Sequence, residues 1–288
     1  MSAPADTAAP VLPSFVMVKR HALVTRIAHW VNVLLMSLLL MSGLQILNAH
    51  PALYWGQQSD FAHPLASIAS QETADGRLVG VTTVGTRAFD TTGFLGASYF
   101  DSEITDRAFP SWITLPGGQS LGLGRRWHFL AAWLFVVNGA IYLMWSFLRR
   151  HVQRDLWPMR SELRLIGSTL QHHLLLRFPR GKAARHYNVL QKLSYLSVVF
   201  GALPLMVLTG LGMSPRVNAQ WPLLLTLLQG RQSARTLHFL VAASLLLFVF
   251  VHVAMVIATG FWNEFRSMVT GHYAITPERR KAGETGHE

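Results

Sequence analysis

The stretch R-T-L-H-F-L-V-A-A-S-L-L-L-F-V-F-V-H-V-A-M-V-I-A-T-G-F-W-N, residues 235–263, decides the fold of this 288-residue chain. After Arg235 it runs for 28 residues without Asp, Glu, Lys or Arg. A helix of about 20 apolar residues crosses a bilayer, and an ionised side chain at its centre costs several kcal/mol, roughly 3 or more. The run is therefore expected to be a transmembrane helix. Two ionisable residues lie within it, His238 and His252, 14 positions apart. At about 100° per residue they lie roughly 40° short of four full turns, on one face and about 21 Å apart along the axis.

Working outward, the same test finds three more charge-free runs: residues 27–59 (apolar to about Leu47), 127–148 and 193–215. The expected fold class is an all-α membrane protein, a four-transmembrane-helix bundle with spans at about 27–47, 127–148, 193–215 and 236–260. A fifth run, 217–230, is too short to span, and residues 221–228 read as a short interfacial helix or re-entrant turn. Pro204 is expected to kink the third span. The first apolar run is longer than the core of a signal peptide and is expected to be retained.

With 51% hydrophobic and 14% charged residues, the composition argues against a water-soluble enzyme. The net charge of +11 is a record of topology. With the N-terminus inside, segments 1–26, 149–192 and 264–288 hold 17 Lys and Arg, against 8 in segments 48–126 and 214–235. Both termini are thus expected on the cytoplasmic side of a bacterial inner membrane, with residues 48–126 an extracytoplasmic loop and 149–192 a cytoplasmic one. Basic residues beside a membrane fit anionic headgroups, so no nucleic-acid partner is expected. Residues 1–20 read as a flexible tail, 21–272 as the membrane domain and 273–288 as a cytoplasmic tail. The 48–126 loop carries seven acidic residues and regularly spaced aromatics. It is too long for a plain connector, and is expected to be an ordered cap of short elements that docks a partner.

Four of the 13 histidines fall inside the spans: His29, His128, His238 and His252. Helices 1 and 3 run outward, helices 2 and 4 inward. That topology puts His128 level with His238 near the outer face and His29 level with His252 near the inner face. Two pairs at two depths, each drawn from different helices, match bis-imidazole ligation of two haems in a four-helix bundle. The ordinary reading of any one of them is a histidine hydrogen-bonded to a neighbouring helix. Cysteine is absent, which excludes thiolate ligation and covalent haem attachment and leaves non-covalent haem b. Arg26 at the inner level, with Arg125, Arg126 and Arg235 at the outer level, are candidate partners of haem propionates, or else ordinary snorkelling cations. Helix 3 has no histidine and is expected to pack rather than ligate. His21 and the loop histidines are expected at surface or headgroup positions.

The segments T-R-I-A-H-W-V-N from Thr25, M-S-G-L-Q-I from Met41, G-R-R-W-H-F from Gly124, R-H-Y-N-V-L-Q-K from Arg185 and R-T-L-H-F with V-H-V from Arg235 carry a resemblance. Over residues 20–272 the chain resembles the bacterial thiosulfate reductase cytochrome b subunits, relatives of formate dehydrogenase gamma subunits and of the b-type cytochromes of nickel–iron hydrogenases. The resemblance implies two b haems, an outer one on His128 and His238 and an inner one on His29 and His252. It also implies a quinone site near the inner haem, with Asn188 and Gln191 beside the quinone. It further implies a redox partner outside the cytoplasm, of the molybdopterin oxidoreductase class, sulfite-oxidase-like or thiosulfate reductase. The expected function is electron transfer between the quinone pool and that partner, as a subunit rather than a stand-alone enzyme, with the oligomeric state open. The competing readings are a transporter that uses the histidines as a proton relay, and an anchor that holds a soluble partner without moving electrons.

Overall fold

The computed structural model describes residues 15–150, 157–164, 166–167, 170–171 and 189–275. Among them are four helices long and apolar enough to cross a membrane: α1 Leu23–Leu47, α2 Leu121–Leu148, α3 Val189–Gly212 and α4 Arg231–Thr270. Each begins before the charge-free run that revealed it. Arg26, Arg125, Arg126, Lys192, Arg231 and Arg235 lie inside helix ends, where long cations reach polar surroundings while their stems stay apolar.

Helix α1 packs against α2, and α3 against α4, so the bundle is built from two antiparallel hairpins. Its interior is lined by small and polar side chains. Ser42, Ser146, Thr209, Ser233, Ala234 and Ser267 are wholly inaccessible. Large apolar side chains such as Trp133, Leu134, Met144, Leu247 and Phe250 point outward. In water this distribution would be inverted; around a bundle in lipid, small residues let helices approach while apolar ones meet acyl chains. The chain is an integral membrane protein. Leu35, Ala131 and Phe135, joined by Leu203 of α3, form the apolar core between the outer and inner ends.

Helix α3 contains a π-helical turn, Ser197–Ala202, before the α-helix resumes at Leu203–Gly212. Pro204 has no N–H for the carbonyl four residues back, and the widened turn precedes it. Helix α4 is interrupted at Gly260 (φ 120°, ψ 80°), below His252. A short helix, Pro222–Leu227, occupies the connection read as interfacial.

The outer loop folds into a cap. Strands β2 Ala52–Leu53, β3 Ala66–Glu72, β4 Leu78–Val84 and β5 Arg87–Asp90 form an antiparallel sheet in that order, and β6 Ala97–Phe100 pairs with β7 Glu103–Asp106. Buried Arg107 donates to the carbonyls of Phe109 and Gly117 and to the Thr114 hydroxyl, tying the cap to the run leading into α2. The first turn of α4 has no side-chain cap of its own. The Gln232 and Ser233 N–H groups donate instead to the Gly56 carbonyl, and Arg231 N–H to Gln57 Oε1. Gly230 is required there: its φ is +113°, and a Cβ would stand 2.5 Å from the Gly56 oxygen.

At the other end of the bundle β1, Val16–Lys19, pairs antiparallel with β8, His272–Ile275. Residues expected in two separate tails thus meet as a ribbon. His21, expected at the surface, is buried beside it, because the Arg20 and His21 N–H groups both bond the Gly271 carbonyl and fold the chain inward. The expected tail residues 1–14 and 276–288, and most of the 149–192 loop, lie outside the described residues.

Candidate functional site

The bundle brings the four membrane histidines together in two pairs drawn from different helices. His128 of α2 faces His238 of α4 with ring centroids 6.3 Å apart, and His29 of α1 faces His252 of α4 at the same 6.3 Å. No group of three or more His, Cys, Asp or Glu able to hold a metal exists among the described residues. Two protein ligands per site suit an iron whose other four ligands come from a macrocycle. The spacing can be tested against that ligand. A metal–imidazole bond of about 2.0 Å and about 1.1 Å from ring nitrogen to ring centre, each taken twice, sum to about 6.2 Å. Both pairs therefore leave room for a haem iron between them.

At the outer pair the surroundings also select the nitrogen that faces its partner. The Ser42 hydroxyl of α1 lies 3.1 Å from His128 Nδ1, and the Thr209 hydroxyl of α3 lies 3.0 Å from His238 Nδ1. Each hydroxyl donates to the carbonyl four residues back, Ser42 to Leu38 at 2.5 Å and Thr209 to Leu205 at 2.8 Å. With its hydrogen committed, the hydroxyl oxygen accepts from the imidazole Nδ1–H. That assigns the proton to Nδ1 and leaves the Nε2 lone pairs for a metal.

Glycines adjoin both hydroxyls. A Cβ on Gly43 would stand 3.4 Å from His128 Cε1, and one on Gly210 would stand 3.4 Å from His238 Cε1. The motifs Ser42-Gly43-Leu44 and Thr209-Gly210-Leu211 thus hold the two outer rings in the same way, one from each hairpin. Sequence reasoning assigned helix 3 a packing role and did not single out Ser42 or Thr209. The usable signal was the repeated hydroxyl-Gly-Leu near the outer end of each odd-numbered helix.

The inner pair is held differently. His29 Nδ1 is buried with no hydrogen-bond partner. Trp30 meets the His29 ring edge-on at 5.2 Å, and Phe248 stacks on His252 at 5.9 Å. Beside it Asn138 Nδ2 of α2 donates to Asn32 Oδ1 and to the Ala28 carbonyl of α1, a polar join that a scan for charges passes over. Below, Arg20 forms a two-oxygen salt bridge with Glu264 at 3.1 Å and lies 4.5 Å over the Tyr273 ring.

The candidate propionate partners are placed as follows. Arg26 donates to the Val269 carbonyl while its Nε is buried without a partner. It lines a crevice of about 290 Å³ with Leu23, Ile27, Trp30, Val31 and Met268. Arg235 donates to the His50 carbonyl. Arg126 is exposed, and Arg125 lies 5.7 Å over the Phe129 ring. Gln191 lies in the first turns of α3, next to Lys192, whose buried ammonium bonds both oxygens of Glu162 at 2.8 and 2.9 Å. Asn188 lies outside the described residues.

In comparisons with known proteins, residues 20–271 match the family described as prokaryotic cytochrome b561. The chain is also similar to the putative protein-methionine-sulfoxide reductase subunit YedZ1 of Azospira oryzae, 36% identical over 163 residues, which are 57% of this chain and 77% of that relative. No solved structure matches it.

Proposed function

Because the chain belongs to the prokaryotic cytochrome b561 family, membrane-integral haem b proteins of electron transfer, we propose that it is a dihaem cytochrome with an outer haem on His128 and His238 and an inner haem on His29 and His252. The observation that carries this reading is the pair of equal ring spacings, 6.3 Å at both sites. The hydroxyl-set Nδ1–H groups at the outer site support it further. Bound haem supplies one-electron redox chemistry at a potential set by axial ligands and burial.

The protein's own contribution is positional. Fourteen residues of helix separate His238 from His252, so the sites are stacked roughly 21 Å apart across the membrane. Arg26 at the inner site and Arg126 and Arg235 at the outer one are the cations available to propionates. The proposed mobile carrier at the inner end, near Gln191 and Asn188, is quinol as electron donor or quinone as acceptor. The positive-inside count puts that end on the cytoplasmic side of an inner membrane, with both termini.

The cap is then extracytoplasmic, and it is the proposed landing surface of a redox partner subunit. The resemblance to thiosulfate reductase cytochromes and the relative named as a putative subunit of a methionine sulfoxide reductase both support a partner that acts at sulfur. A molybdopterin oxidoreductase is the proposed class. A pyridine haemochrome assay on purified protein tests the central claim. About two b haems per chain, falling to about one in His238→Ala, are expected; no haem, or two haems retained in that variant, overturns it.

A further inference from the structure

Directly above the outer histidine pair, the loop segment from His50 to Gln57 is sewn to the first turns of α4. Arg235 donates to the His50 carbonyl, the Thr236 hydroxyl to the Tyr54 carbonyl at 2.6 Å, and the Gly56 N–H to the Ser233 hydroxyl at 2.7 Å. Arg235 and Thr236 precede His238 by three and two residues, so this seam sits one helical turn from the outer site.

The His50 ring is fixed within the seam. It stacks on Tyr54 at 5.6 Å, with 17° between the planes, and meets Phe61 edge-on at 5.7 Å. Its Nε2 is nevertheless buried with no hydrogen-bond partner. Arg235 beside it is half-buried, and among the described residues no carboxylate pairs with it. A buried orphaned imidazole nitrogen and a half-buried guanidinium with no carboxylate beside it among the described residues are each costly, and both costs are relieved by one anion between them.

We propose that His50 and Arg235 together bind a propionate of the outer haem, and that proton uptake at this pair accompanies reduction of that haem. The proposal rests on the dihaem reading. It names His50, a loop residue outside the membrane spans, as a tuning residue of the outer site. The balance is one electron to the iron and one proton from the outer aqueous side to the His50–propionate pair. Added negative charge at the haem raises the proton affinity of its neighbours.

The groups facing His50 are Arg235 from α4 and Tyr54 from its own loop, with the exposed Asp60–His63 pair further along. Burial, and then Arg235, hold His50 below the ordinary histidine range. A propionate acts in the opposite direction and brings the titration back toward neutrality. The outer haem's midpoint potential then falls as pH rises through this titration.

The experiment is a redox titration of the purified haem-loaded protein between pH 5 and 8, in a His252→Ala background that leaves the outer haem alone. The parent is compared with H50Q and H50F. At fixed potential the parent's reduced-to-oxidised ratio is expected to fall by up to about tenfold per pH unit within the window. H50Q, which keeps an amide donor but cannot titrate, is expected to retain haem and lose the pH dependence. H50F is expected to lose the dependence and shift the potential as well. A flat parent profile, or variants that keep the parent slope with haem bound, overturns the proposal and leaves the dihaem reading standing. A parent that binds no outer haem overturns both.

Discussion

At the outer histidine pair both imidazoles are held by hydroxyls from the odd-numbered helices; at the inner pair, with the same 6.3 Å between rings, His29 Nδ1 has no partner and the rings are held by aromatic neighbours. The outer site is braced through α1 and α3 and through the cap stitched to α4. The inner site sits where α4 breaks at Gly260 and the terminal strands close the bundle. Directional bonds fix ring rotation more tightly than ring contacts do. In the proposed reading, the hydroxyl-braced end faces a docked protein, and the end with fewer directional bonds faces a mobile quinone.

The comparison can be broken most strongly at the ligands. His128→Ala is expected to remove the outer haem and leave the inner, and His29→Ala the reverse, each read as haem per chain and as the surviving spectrum. Gly210→Leu is the next test. Its side chain would occupy space already within 3.4 Å of His238 at the first added carbon, so loss of most outer haem is expected with the inner unaffected.

Ser42→Ala and Thr209→Val remove the Nδ1 partners. Each is expected to weaken haem retention at the outer site by roughly 10–100-fold, read by competition with a haem-binding acceptor. Among the described residues no hydroxyl bonds His29 Nδ1, so the inner pair has no counterpart to these variants. An equal effect on the inner haem would refute the asymmetry.

Glu264→Gln, which breaks the salt bridge with Arg20, is expected to cost about 1 kcal/mol, seen as a lower midpoint of thermal unfolding in detergent. Its spectral effect is expected only on the inner haem.

The smallest effect concerns pH. Asp90 is held below the ordinary carboxylate range chiefly by the Thr92 hydroxyl, and Asp75 by that of Thr73. A depressed carboxyl contributes stability above its unfolded value of about 3.8 that is lost as pH falls through the lower folded value. Acidification below about pH 4 is therefore expected to raise protease sensitivity of the cap before the bundle loosens.

Much of this was legible in residue order because lipid imposes a strict rule. Charges leave the span interior, and the 14-residue spacing on α4 sets two depths whatever the partner helices do. The topology then determined which of His29 and His128 shares each depth. The resemblance over the same residues reached the cytochrome class that the family match shows. Less legible were the helix ends. The charge scan clipped α2 by six residues, from Leu121 to 127, because arginines inside a helix end look like loop residues. The burial of His21 depended on backbone bonds to Gly271, some 250 positions away, for which no local pattern exists.

By itself, then, the sequence determined that the chain crosses a membrane four times, that the absence of cysteine excludes thiolate ligation, and that two histidines on one helix face are separated by most of a bilayer. These follow from periodicity and solvation, which act on each residue locally. Only the tertiary structure decided that Ser42 and Thr209 set the outer imidazoles, that α3 takes part in the site without a histidine, and that the cap supplies the missing end of α4 through Gly56 and Gln57. Those are contacts between segments distant in the chain, and their distances are set by how closely small residues let the helices approach.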